Sequence, residues 1–187
     1  GKFHTLRPRQ VRNEIETLAK KVANIEPTLM LEIGTERGGT FYIWNRLLVE
    51  SATIISIDLP EETTNSIPYD RFLKAFSEDD GRIEFIRGNS QNTQTIDEVH
   101  NVLGEQKLDF LFIDTEFSYD NVQADFENYA PLVRDGGLVA IHDICHPDGS
   151  VDDFWDEIHS SEQYNTEEIV CSSKLRDYNL GLGIVYI

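Results

Sequence analysis

Leu31-Glu32-Ile33-Gly34-Thr35-Glu36-Arg37-Gly38-Gly39-Thr40 is the stretch on which the fold of this chain turns. The apolar run Leu29-Met30-Leu31 leads into it and reads as a buried strand. Glycines at 34, 38 and 39 then permit a tight turn, because glycine alone takes positive φ freely and lets backbone come close to a ligand. The residues after the turn read as a helix, whose first N–H groups have no partner within the helix and face the strand's end. Strand, glycine turn and helix N-terminus together outline a nucleotide-type binding site.

On the N-terminal side of this motif, Val11, Ile15, Leu18, Val22 and Ile25 recur at three- and four-residue steps, one apolar face of a helix that Pro27 ends. On the other side, Phe41, Trp44, Leu47 and Leu48 mark the inward face of a helix near 39–50. Thr53 to Ile57, ending at Asp58, reads as a second strand, followed by a loop at 59–69 and a helix near 69–77. Arg82 to Ile86 alternates as a third strand that Gly88 ends, and Ile96, Val99 and Leu103 face one side of a helix closed by Gly104. Leu108 to Ile113 is a central buried strand by its near-unbroken apolar character. Ser118 is a suitable cap for a helix whose face runs from Tyr119 through Val122, Phe126 and Tyr129 to Val133. Gly136-Gly137 is expected to turn the chain into a fifth strand at 138–141; Phe154, Trp155 and Ile158 suggest one more helix. Ile169 to Cys171 and Leu182 to Ile187 supply the last strands. Alternating strands and helices mean an α/β fold with a mainly parallel sheet, and no linker splits the 187 residues, so a single domain is expected, with residues 1–26 packing on or capping it.

The composition narrows the partners. A net charge of −18 repels phosphate backbones and anionic bilayers, so neither nucleic acid nor membrane is an expected partner. No apolar run approaches the ~18 residues of a membrane span. No signal-peptide pattern is visible, and two cysteines, Cys145 and Cys171, form neither a disulfide framework nor a zinc pattern; a cytoplasmic location fits. Cys145 is expected to be buried or half-buried.

In a doubly wound sheet, ligands bind beyond the carboxyl ends of the strands. Polar residues stand at each such end: Glu32 and Gly34, Asp58, Asn89 and Ser90, Asp114, then His142 and Asp143. The first turn is not the dinucleotide pattern G-x-G-x-x-G, which argues against a nicotinamide-dependent oxidoreductase. Asp58 lies 24 positions after Gly34, a spacing that suits a carboxylate reaching the two ribose hydroxyls of an adenosine.

These features resemble the class I S-adenosylmethionine-dependent methyltransferases over about residues 28 to 187. Leu108-Asp-Phe-Leu-Phe-Ile-Asp-Thr-Glu-Phe-Ser-Tyr-Asp120, then Tyr129-Ala-Pro-Leu-Val-Arg-Asp-Gly-Gly137 and Ile141-His-Asp143, resemble the small-molecule O-methyltransferase branch. That branch includes cephalosporin hydroxylase-like and macrolide-sugar enzymes. The resemblance implies a Rossmann-like sheet of seven strands, the last antiparallel. It implies an enzyme that moves a methyl group to a hydroxyl of a sugar or secondary metabolite. Gly34 with Thr35, Gly38, Gly39 and Thr40 would wrap the methionine part of S-adenosylmethionine. Glu32 would orient that region, Asp58 would bind ribose, and Asn89-Ser90 would lie beside adenine.

Members of this branch often use magnesium, and Asp114 and Asp143 match the positions that hold it. Neighbouring strands are about 4.8 Å apart, so carboxylates at their ends can share one hard cation. Relatives commonly read Asp-Gly-x-His-Ser-Tyr where this chain reads Asp114-Thr115-Glu116-Phe117-Ser118-Tyr119. Phe117 is neither base nor ligand. His142 or His146 is the alternative, beside the bland readings of His142 as a structural histidine and His146 as an exposed one. Glu116 is a further carboxylate, and Asp114 in the catalytic set could instead be a helix cap. Residues 1–12, 59–69 and 144–153 are the segments expected to cover the acceptor, with a homo-oligomer completing the site as the alternative. The rival reading of the whole is a non-catalytic S-adenosylmethionine-binding module.

Overall fold

The computed structural model describes residues 8–49, 51–60, 82–116, 118–147, 149–172 and 177–187. The elements are α1 (Arg12–Asn24), β1 (Leu29–Ile33), α2 (Gly39–Leu47), β2 (Thr53–Asp58), β3 (Arg82–Arg87), α3 (Thr93–Leu103), β4 (Leu108–Ile113), α4 (Tyr119–Tyr129), β5 (Val133–His142), α5 (Val151–Ser160), β6 (Asn165–Ile169) and β7 (Leu182–Tyr186). The helix expected near 69–77 and most of the 59–69 loop lie outside the described residues.

The strands form one sheet in the order β3-β2-β1-β4-β5-β7-β6. Parallel pairing runs from β3 to β5, and β7 is antiparallel to both its neighbours. This is the seven-stranded, Rossmann-like arrangement that the resemblance implies. Strand alternation divides the core into two layers. Leu29, Leu31 and Ile33 of β1 pack with Val99 of α3, Phe126 of α4 and Phe154 of α5. Met30 faces the other way, with Leu18 of α1 and Phe41 and Trp44 of α2. Every residue of β1 and β4 is buried, as central strands covered on both faces require. Among the described residues no helix is long and apolar enough to cross a membrane.

Three local expectations are corrected. Gly136-Gly137 does not precede the fifth strand but lies inside it, where Leu108↔Val133 and Phe110↔Leu138 frame a bulge; Gly136 takes φ 75° there. The helical face that starts at Tyr119 does not run to Val133. α4 stops at Tyr129 and a single 3-10 turn containing Pro131 comes next, since proline cannot donate to the helix ladder. The penultimate strand is Asn165–Ile169 rather than 169–171. It is an edge strand with one partner, so half of it faces solvent and its sequence lacks an apolar run.

Candidate active site

The parallel strands all end on one rim, and the sheet order places the C-termini of β1 and β4 side by side there. The direction of the chain reverses at this point, since β1 continues to β2 on one side while β4 continues to β5 on the other; such a switch point is where open α/β sheets bind ligands. Gly34, just after β1, takes φ 88° and donates its N–H to Ile57 O at 2.9 Å. A Cβ on it would stand 1.9 Å from Asp114 O, the backbone oxygen just after β4. Only glycine fits between the two strand ends.

Two cavities meet at this glycine. The first, about 280 Å³, is lined by Gly34, Asp58, Gly88 to Gln91, Asp114 to Glu116, Asn121 and Asp125, among others. The second, about 510 Å³, is lined by Gln10, Gly34, Thr35, Gly39, Thr40, Asp114, His142, Asp143 and His146, among others. Gly34, Glu36, Asp114 and Thr115 belong to both. The site is therefore bipartite, hinged on the ends of β1 and β4.

At the first cavity, the N–H groups of Glu36 and Leu59 donate to Asp58 Oδ2 and Oδ1 at 2.6 and 2.7 Å, which fixes the orientation of the carboxylate. Asn89 spends its side-chain oxygen on the N–H of Gln91 at 2.8 Å. Ser90 is buried, with its hydroxyl donating to Asp125 Oδ1 at 2.6 Å, while Tyr129 donates to Ser90 O at 2.6 Å. Burial pushes the Asp125 carboxyl up, against the opposing pull of the Ser90 and Thr115 hydroxyls. Asp125 escaped the reading of the sequence, although an acid at i+3 from Val122 and i−4 from Tyr129, on an otherwise apolar helix face, is a visible signal.

Glu32 lines neither cavity. It is fully buried on the α2 side of β1, where Trp44 Nε1 donates to its Oε1 at 3.1 Å and no described group reaches its Oε2. Burial, the largest influence, lifts its carboxyl to about 8, against the Thr40, Thr35 and Trp44 donors that favour the anion. Folded Glu32 thus keeps a proton that the unfolded chain releases above its ordinary value of 4.5. Between those values the native state binds more protons, so stability falls as pH rises. Glu32→Gln should remove this slope. Urea unfolding at pH 5, 6 and 7 is expected to show the parent losing about 1.4 kcal/mol per pH unit relative to the variant. Parallel pH profiles for the two would contradict a protonated Glu32.

At the second cavity, β5 delivers His142 and Asp143 next to Asp114. His142 Nδ1 lies 2.9 Å from Asp114 Oδ1 and 3.1 Å from Asp143 Oδ2. One ligand atom from each of the three residues falls within 4.8 Å of the others, close enough that together they could hold a metal ion. Asp143 Oδ1 and His142 Nε2 are buried without a described partner. Asp143 also holds φ 64°, a left-handed conformation that is uncommon outside glycine and clusters at functional sites. Burial would lower the His142 imidazole, but the Asp114 and Asp143 charges outweigh it and push it up to about 10. His146 is buried and packs edge-on against Tyr178 at 5.2 Å, so it is not the exposed loop histidine of the bland reading. Cys145 is exposed rather than buried or half-buried, and its N–H donates to Leu180 O at 2.8 Å. Phe117 lies outside the described residues, and Glu116 is exposed at the first cavity. Gly38 caps α2 with φ 74° and lines neither cavity.

Residues 31–144 match the family described as Methyltransferase domain. The chain belongs to that family. The resemblance to class I methyltransferases is thereby borne out. Among solved structures, this methyltransferase is similar to the O-methyltransferase from Bacillus cereus in complex with S-adenosylhomocysteine. The two share 18% identity and a TM-score of 0.74, covering 97% of this chain and 84% of that one. It is similar to the O-methyltransferase TomG from Streptomyces achromogenes, involved in tomaymycin synthesis and bound to S-adenosylmethionine, at 17% identity and TM-score 0.67, covering 95% and 81%. An rRNA methylase from Streptococcus thermophilus also matches, at 12% identity and TM-score 0.65, covering 95% and 98%. At these identities the likeness establishes a shared fold. No curated protein sequence matches the chain.

Proposed function

We propose that this methyltransferase is an S-adenosylmethionine-dependent O-methyltransferase acting on a hydroxyl of a small molecule, a sugar or secondary metabolite, with help from a divalent cation. The observation that carries the reading is the pair of cavities joined at Gly34 and Asp114. One has a carboxylate on its rim for a ribose diol, and the other a cation-type cluster beside the glycine turn. The O-methyltransferases of similar fold support the hydroxyl acceptor. The charge of −18 disfavours a nucleic-acid acceptor despite the rRNA methylase of the same fold.

The residues fit the cofactor. Gly34 lets the ends of β1 and β4 close on each other and lines both cavities where they meet. Asp58 is oriented by two N–H donors, and a carboxylate offers about four acceptor sites in all. Thr35, Gly39 and Thr40 line the second cavity from the α2 N-terminus, as the wrapping of a methionine moiety requires. When bound, S-adenosylmethionine would supply an electrophilic methyl group; the acceptor hydroxyl would give its proton to solvent and take the methyl, leaving the sulfonium as a thioether. The chain's task is to align the two and exclude water, since charge diminishes as they react.

The residues also fit a cation. Asp114 and Asp143 would offer carboxylate oxygens and His142 an imidazole nitrogen, with the oxygens 2.9 and 3.1 Å from His142 Nδ1. Magnesium suits the Asp114 and Asp143 pair alone; adding an imidazole nitrogen shifts the preference toward manganese or another first-row ion. The ion would hold the acceptor hydroxyl and lower its pKa. In the ion-free site the Asp114 and Asp143 charges favour a proton on His142, and an ion taken there would compete with it.

Calorimetry with S-adenosylhomocysteine, with and without Mg²⁺ or Mn²⁺, tests both halves. Binding is expected, and Asp114→Asn should leave it nearly intact in chelator while abolishing any effect of the ion. No nucleoside binding in the parent would refute the cofactor reading. An unchanged ion effect in Asp114→Asn would refute the cation site.

A further inference from the structure

One side chain outside the strand ends completes the cation cluster. Gln10, which precedes α1, donates from Nε2 to Asp114 Oδ2 at 2.5 Å across 104 positions of sequence. Asp114 Oδ1 faces His142 Nδ1 instead. The two oxygens of Asp114 are thus assigned to different partners, and the plane of the carboxylate is set. The amide must present its NH₂ here, because its own oxygen against a carboxylate would place lone pairs against lone pairs. Gln10 lines the second cavity together with Asp114, His142 and Asp143.

The helix behind it is held independently. Ile15, Leu18 and Val22 of α1 are buried against the sheet. Glu14, also buried, accepts from Cys171 N at 2.7 Å, and Lys21 pairs with Glu167 at 2.8 Å. Gln10 is therefore not needed to dock α1, and its bond to Asp114 has a local consequence. Carboxylates that hold ions are themselves hydrogen-bonded, and losing such a partner costs affinity.

We propose that Gln10 is a positioning residue for the divalent cation: by engaging Oδ2 it directs Oδ1 of Asp114 into the Asp114–His142–Asp143 cluster, which makes ion binding depend on the placement of Gln10 ahead of α1. This rests on the cation half of the function proposed above. It assigns the N-terminal segment a part in the ion site rather than only a cover over the acceptor.

The test is a Mn²⁺ titration of metal-free protein, read by the resonance of free Mn²⁺, on the parent, Gln10→Leu and Gln10→Ala. Leucine keeps the bulk and removes the donor. Both variants should bind Mn²⁺ about 10- to 100-fold more weakly. Their melting temperature should match the parent, which a merely structural residue would not allow, and any loss of S-adenosylhomocysteine affinity in chelator should be much smaller than the loss of Mn²⁺ affinity. Parental Mn²⁺ affinity in both variants would overturn the proposal, and so would an equal loss of nucleoside affinity in chelator. If the parent itself binds no Mn²⁺, the cation reading falls and takes this inference with it, a result visible before any variant is made.

Discussion

Gly34→Ala is expected to destabilise the fold by about 3 kcal/mol or more and to abolish binding of S-adenosylhomocysteine. Two effects combine. The residue holds φ 88°, where a side chain is strained by about 1–2 kcal/mol. Its Cβ would also stand 1.9 Å from Asp114 O and 2.7 Å from Asp114 C, backbone atoms at the end of a central strand that cannot swing aside. Gly104→Ala separates the two causes. Gly104 has φ 59° and ψ −119°, a backbone open almost only to glycine, and open space around its Cβ position, so only a conformational cost of about 1–3 kcal/mol applies there. Urea midpoints at constant slope compare the two. Equal losses would mean that backbone strain, not the contact between β1 and β4, decides the choice of glycine.

Asp58→Ala is expected to cost nucleoside affinity without comparable loss of stability. Two hydroxyls bonded to an anion contribute about 1.5–3 kcal/mol each, so removal of the carboxylate should weaken S-adenosylhomocysteine binding by about 100-fold or more. The N–H groups of Glu36 and Leu59 lose an acceptor, but both residues are exposed and water can replace it. The variant should therefore melt near the parent temperature. Nucleoside binding at parental strength would show that the ribose lies elsewhere.

The elements with strong local signals were legible in the chain. β1, β2 and β4 are mainly apolar because a strand covered on both faces buries nearly every side chain, and the polar exceptions Glu32, Ser56 and Asp109 are hydrogen-bonded. Gly34 announces its turn because few other residues take that backbone. Ser118 caps α4 as expected, accepting from Asn121 N at 3.4 Å. The strand-end carboxylates could be named in advance because parallel strands share one rim, and Asp58 and Asp114 do line a common cavity. β6 was displaced in the reading because an edge strand reveals itself through its partner, not its own sequence. Glu168 on that strand accepts from Trp155 Nε1 at 2.7 Å, a pairing no local pattern encodes.

The sequence by itself determined the alternation of strand and helix, the glycine turn, and which acids stand where strands end. All three arise from burial and backbone sterics within a few residues. The tertiary structure alone decided that Glu32 is enclosed beside Trp44, that Asp125 holds Ser90, and that His142 sits between two carboxylates with Gln10 closing over one of them. Apart from the neighbours His142 and Asp143, these contacts join residues 12 to 104 positions apart, and their geometry depends on how helices seat on the sheet, for which no short stretch of chain carries the information.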